Sequence, residues 1–460
     1  MIPPDIALLG WIVFSFFLMI DRNSVRGFAL AMILGQFFLP EIWATKISVL
    51  PNLAKTEVVV LGVLIGSFVF HPELIVKFRP HPLDALLVGL LICSMTTSVV
   101  NGLGVYDGIS NAFFRSTEIV IPICLGRLHL NTPERFRAFL IYLVLASVCY
   151  LPFALYEFRM SPQIHTMMYG YFQHVFVQFY RNGFWRPVVC FPHALDLGRF
   201  FALCTFLAAF PLRQDLARRY PYGKWMFVAP LVGLIISMSY GPYLMFVVLV
   251  GLYYTPRQFA MLAYVIPAAA FLWVILLFMD IQVLNPVVDV LARYNPERAA
   301  SLQYRLDAFA QYSHVIRQQI IFGYGNWGRG RIQGLATDSK VLIDMLSRGL
   351  VGVTCIYGWW FWTMFTAHRL AAKTARVRFG RLAYGMAGVL PICLAFAVFD
   401  AALDPHIKWI AGGIIAIFPL SLQAAPVRIA PRRPEPSQTP GPGPRPRPRG
   451  FVPRRPQKAT

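Results

Sequence analysis

Ala138-Phe-Leu-Ile-Tyr-Leu-Val-Leu-Ala-Ser-Val-Cys-Tyr-Leu-Pro-Phe-Ala-Leu-Tyr156 contains no charged residue. As a helix it would rise roughly 28 Å, close to the thickness of a bilayer's hydrocarbon core. A helix of a soluble core would be shorter or would show a polar face. Comparable apolar runs recur near 5–20, 27–43, 57–70, 83–100, 109–126, 190–211, 225–239, 241–254, 259–279, 341–366, 382–399 and 407–423. The reading is all-α: a polytopic membrane protein with about 12–13 transmembrane helices. The composition agrees, because 57% hydrophobic and 14% charged residues, with mean hydropathy +0.56, leave too little polar surface for a soluble globule. The first helix is expected to stay in the membrane, since Ile6–Ile20 follows an acidic start and lacks a small-residue cleavage site.

The formal charge of +21 sits mainly in short loops and in the tail from Arg428 onward, so it describes topology rather than a nucleic-acid partner. Arg127, Arg135 and Arg137 mark one cytoplasmic loop, Arg213, Arg218, Arg219 and Lys224 a second, and Arg369, Lys373, Arg376, Arg378 and Arg381 a third. All three have the same parity in the span count. The alternation places Asn101–Gly108 and Asp400–His406 on the outer side, with two long segments, 157–189 and 280–340. The chain thus divides into a transmembrane domain, 1–424, and a Pro/Arg-rich cytoplasmic tail, 425–460, that has almost nothing to bury. Near anionic headgroups such a tail gains roughly 1 kcal/mol per basic residue, so membrane lipids are its default partner. The seven cysteines lie in or beside apolar runs without CxxC spacing and read as packing thiols. No internal repeat is visible, which weighs against transporter folds built from repeats.

The outer segments hold the candidate chemistry. In 280–340, Leu302, Leu306, Phe309, Ser313, Ile316 and Ile320 recur at helical spacing, which predicts an amphipathic interfacial helix over 296–322 with Arg298, Arg305 and Arg317 on its polar side. Phe322-Gly-Tyr-Gly-Asn-Trp-Gly-Arg-Gly-Arg331 follows, where Gly323 and Gly325 beside Asn326 would let the backbone turn and approach a ligand. Thr337 then reads as an N-cap, with Asp338 in the first turn of a helix entering the membrane. An acid there is stabilised by the helix dipole whether or not it acts in catalysis. Asp344 and Arg348 fit an i,i+4 pair.

The other segment ends Arg181-Asn-Gly-Phe-Trp-Arg-Pro-Val-Val-Cys-Phe-Pro-His-Ala-Leu-Asp-Leu-Gly-Arg199, placing Arg186, His193, Asp196 and Arg199 at the membrane surface. Asp196 and Arg199 are spaced to neutralise each other, and His193 also fits a hydrogen-bonded interface residue. Arg115 and Glu118 fit a buried pair holding helices in register, or a substrate contact. Arginines gathered beside a membrane suit a lipid-linked phosphate or pyrophosphate.

Arg305, Phe322-Gly-Tyr-Gly325, Asp338 and Gly349-Leu-Val-Gly352, together with Arg186 before Phe191-Pro-His-Ala and Ser239-Tyr240-Gly241-Pro242, resemble in order and topology the O-antigen ligase and polymerase superfamily of polytopic glycosyltransferases. The resemblance covers roughly 180–365. Two departures stand out: Tyr240 where the family's turn has arginine, and Asp338 where lipopolysaccharide ligases carry histidine. The latter favours polymerases of exopolysaccharide or O-antigen repeats over ligases.

The resemblance implies transfer of an undecaprenyl-pyrophosphate-linked glycan to a sugar hydroxyl of a second lipid-linked glycan, with inversion, without metal or other cofactor. The site would face the periplasm or exterior of a bacterial cytoplasmic membrane. Arg186 and Arg305 would grip the pyrophosphate and Asp338 would act as base, with Arg199, His193, Lys340, Gly323, Gly325 and Asn326 as secondary contacts. A flippase and a chain-length regulator are the implied partners. The rival reading is a transporter of such a glycan.

Overall fold

The computed structural model describes residues 1–48, 51–181, 183–254, 256–279, 285–294, 296–325, 339–374, 380–396 and 405–423. The all-α part of the expectation holds: the described chain is α-helical apart from two short antiparallel ladders, Ala44–Thr45 with Leu53–Ala54 and Tyr180–Arg181 with Phe184–Trp185. Most apolar runs of the sequence form a helix near their expected bounds, among them Pro4–Leu18, Ser24–Phe38, Lys55–Phe70, Asp84–Val100, Pro133–Met160 and Ala194–Ala209. By length and composition, Pro133–Met160 and Lys340–Lys373 are long and apolar enough to cross a membrane. The bent pair Ala194–Ala209 and Arg213–Arg219 adds a third if it is one span. Other apolar helices, including Ser24–Phe38, Asp84–Val100 and Tyr240–Tyr254, are shorter.

The run expected at 109–126 is a composite. Val105–Arg115 continues into a π-helical turn, Ser116–Val120, and then into Ile121–His129. Pro122 explains the widened turn. It has no N–H to offer the carbonyl four residues back, and its ring would clash with that carbonyl in a regular α-helix. The carbonyl is that of Glu118, and it accepts instead from Lys408 Nζ at 2.9 Å, out of the Pro405–Gln423 helix.

The helix expected at 296–322 forms as Pro296–Gln318, but its apolar stripe is spent on protein contacts rather than on an open interface. Leu306, Phe309, Tyr312 and Ile316 are buried, with the Phe309 ring 5.1 Å from Trp273. The preceding helix, Asn285–Tyr294, buries no residue and leaves Val287, Val290 and Tyr294 exposed.

Loops expected on one side meet one another. Arg137 lies 3.4 Å from Asp215, joining the first two basic loops. Asn101 Nδ2 donates to the Gly323 carbonyl at 2.9 Å, joining two segments expected on the opposite side.

Candidate functional site

The segment leading into the Ala194–Ala209 helix is clamped by side chains from elsewhere. Glu157, fully buried at the end of the Pro133–Met160 helix, accepts the N–H groups of Val188 at 2.8 Å, Val189 at 2.7 Å and Ile164 at 3.0 Å. Tyr150 Oη accepts from Cys190 N at 3.2 Å, while Lys55 Nζ donates to the Cys190 carbonyl at 2.8 Å and pairs with Glu41 at 2.5 Å. Gln173 Nε2 donates to the carbonyls of Val189 at 2.7 Å and Phe191 at 3.3 Å. A buried loop needs such partners, because its backbone has no helix or sheet to pair with. They also hold Val189 at φ +52°, a left-handed conformation costly for a β-branched residue.

This rigid stretch presents Arg186 and His193. Arg186 is 1% exposed; its Nε donates to the Ser237 carbonyl at 3.2 Å and its Nη2 to Ser239 Oγ at 2.6 Å. Two elements of the resemblance, the arginine before the Phe191 stretch and the Ser239-Tyr240-Gly241-Pro242 turn, are therefore in direct contact. Tyr240, where the family's turn has arginine, is exposed. His193 caps the next helix, its Nδ1 accepting the Leu195 N–H at 3.1 Å. With Nδ1 an acceptor, Nε2 bears the hydrogen of a neutral ring. Burial first, then the Arg186 guanidinium, with His174, Arg199 and Arg181, pushes the His193 pKa down to about 3. The ring centroid lies 5.0 Å from that of His174 and 5.6 Å from that of Phe179. Arg199 pairs with Asp196, as their spacing predicts. A neutral donor amid arginines can hold an anion but does not supply a proton at neutral pH.

Arg305 sits half-buried on the Pro296–Gln318 helix and, among the described residues, makes no hydrogen bond or ion pair. It is thus an uncommitted cation, in contrast to Arg186. Asp338 and Asn326 lie outside the described residues.

The glycine run meets protein backbone on one side. Gly323 has φ +66°, and a Cβ there would fall 2.6 Å from the amide nitrogens of Arg348 and Gly349. Gly349, at φ 60° and ψ −163°, kinks the Lys340–Thr374 helix, and its own Cβ would fall 2.3 Å from the Ile321 carbonyl oxygen. The junction is sealed by Tyr324 N to Leu346 O at 2.8 Å and Leu350 N to Ile320 O at 2.7 Å. Thr97 Oγ1 adds a bond to the Phe322 carbonyl at 2.8 Å. Gly323 therefore admits a neighbouring helix rather than open space, whereas a Cβ at Gly325 would meet ordinary contacts, the nearest at 3.4 Å.

Lys340, at the start of that helix, belongs to a buried ionic network that sequence spacing revealed only in pieces. Arg115 pairs with Glu118 and Arg348 with Asp344, both as spacing predicts. Lys340 Nζ joins the two pairs, 2.8 Å from Asp344 and 3.6 Å from Glu118. Tyr357 Oη donates to Asp344 at 3.3 Å. Lys408, which sequence reading did not single out, completes the set through the Glu118 carbonyl; its signal was a lone lysine in an otherwise apolar run. Among the described residues, no group of three or more His, Cys, Asp or Glu side chains is arranged to hold a metal ion.

No family model, no curated protein and no solved structure matches the chain.

Proposed function

We propose that the chain is a polytopic protein of a bacterial cytoplasmic membrane that polymerises lipid-linked polysaccharide repeats. It transfers an undecaprenyl-pyrophosphate-linked glycan to a sugar hydroxyl of a second lipid-linked glycan, with inversion, at the outer face. The observation that carries the reading is the junction of Arg186 with the Ser237–Ser239 turn beside neutral His193. It unites two of the sequence elements on which the resemblance rests and surrounds them with positive potential.

In this mechanism Arg186 acts through the wall of the site, its charge fixed by Ser237 and Ser239, and favours the negative charge that develops on the departing pyrophosphate. Arg305, uncommitted on its helix, makes the direct contact. Asp338 takes the proton of the acceptor hydroxyl as the new glycosidic bond forms and the bond to pyrophosphate breaks. Ligase-type transfer to another acceptor uses the same groups.

A second reading, transport of a lipid-linked glycan, is favoured by the ionic network of Glu118, Lys340 and Asp344, because charges at membrane depth also mark substrate and proton paths. The deciding experiment incubates purified protein with lipid-linked repeat units in detergent, where no compartment exists to transport into. Elongated glycans are expected from wild type, and none from Arg305→Ala protein that still enters the membrane. Undiminished polymer from that variant would remove Arg305 from the mechanism.

A further inference from the structure

We infer that the network of Arg115, Glu118, Lys340, Asp344 and Arg348 is a second anion site, built for a phosphate or pyrophosphate group and separate from the Arg186–His193 cluster. The inference deepens the proposed function and takes from it the expectation that such a group arrives on a lipid.

The network is graded in exposure. Side-chain exposure is 0% for Asp344 and 1% for Arg348, then 15% for Lys340, 18% for Arg115 and 28% for Glu118. It therefore has a closed floor and an open mouth, and the mouth is where Arg115, Glu118 and Lys340 converge. At the floor one carboxylate, Asp344, is shared by two cations, Lys340 and Arg348, as well as the Tyr357 hydroxyl. The Arg348 Nε–H, fully buried, has no hydrogen-bond partner among the described residues. The Arg115 and Arg348 guanidiniums repel one another across the network. Gathering like charges in a poorly solvated interior is costly unless something anionic relieves it.

The two carboxylates hold the three cations in position and neutralise them only in part. Asp344 anchors Lys340 and Arg348 from below, and Glu118 anchors Arg115 through a turn whose π geometry Pro122 imposes. The Lys340–Glu118 contact, at 3.6 Å, is the long one in the chain of pairs. An entering phosphate oxygen would replace it. A planar guanidinium and a mobile ammonium side by side match the several oxygens of a phosphate better than the two of a carboxylate.

The test uses the full-length protein in detergent and radiolabelled inorganic pyrophosphate in equilibrium dialysis. Saturable binding is expected, weakened at least about tenfold by Lys340→Gln or Arg348→Gln, the loss of one charge-assisted contact. Lys340→Arg should retain it. Because Arg348→Gln disturbs a buried group, Lys340→Gln, on a part-exposed side chain, is the deciding variant, with its fold checked by size-exclusion chromatography. Farnesyl pyrophosphate displacing the label at lower concentration than unlabelled pyrophosphate assigns the site to a lipid headgroup. Equal or weaker displacement assigns it to a free anion. Undiminished binding by folded Lys340→Gln, or no saturable binding by wild type, overturns the site. Intact, Lys340-dependent binding without glycan elongation would instead retire the transferase reading and leave the site standing.

Discussion

His193 accepts a backbone N–H through Nδ1 and lies against Arg186, so the folded chain binds its proton only near pH 3 while the unfolded chain does so near 6.5. The stability this contributes is whole above pH 6.5 and drains away as pH falls toward 3, since the unfolded state gains the proton first. Histidine-selective NMR from pH 8 to 5 should show the His193 ring unchanged, and a midpoint above 5 would contradict the charge environment described. Arg186 offers a different test. A lysine cannot reach both Ser237 O and Ser239 Oγ with one fork, so Arg186→Lys should lower elongation by roughly 100-fold while the protein is still made. A loss under about threefold, read from product length, would argue against a fixed charge there. Arg186 and His193 were visible in the sequence as charges at a membrane surface. Glu157 was not, because its partners, Val188 and Val189, are backbone groups that leave no mark in side-chain spacing.

Among elements, the long apolar helices were legible because most are written in one continuous apolar run, and Pro296–Gln318 because its apolar residues recur at helical spacing. The junction between Phe322–Gly325 and Gly349 was not: both glycine runs were visible, but neither says that it packs on the other. Gly349→Ala would put a side chain at φ 60° into the Ile321 carbonyl. The backbone strain alone costs about 1–3 kcal/mol, so a lower thermal midpoint is expected, and an unchanged midpoint would mean that the kink relaxes freely. Asn101→Ala removes a bond to Gly323 and should cost roughly 1 kcal/mol by the same measurement. The π turn escaped sequence reading for a related reason. Pro122 was visible inside an apolar run, but whether proline kinks, ends or widens a helix depends on who takes the orphaned carbonyl.

For the whole molecule, the alternation of basic loops gave a sidedness that the Arg137–Asp215 and Asn101–Gly323 contacts respect. Alkaline phosphatase joined after Leu103 should be active, and joined after Gly223 inactive; the reverse pattern would invert the proposed topology.

The bond from Lys408 to the Glu118 carbonyl has a consequence in time as well as in space. Glu118 leaves the ribosome almost three hundred residues before Lys408 does. Throughout that interval the carbonyl freed by Pro122 lacks the donor that the finished fold gives it. The Glu118 carbonyl can therefore gain this donor only after the Pro405–Gln423 helix has been synthesised, whereas Arg115, Glu118, Lys340, Asp344 and Arg348 all precede that helix in the chain. The order of synthesis thus makes the Lys408 bond the last of these contacts to become possible.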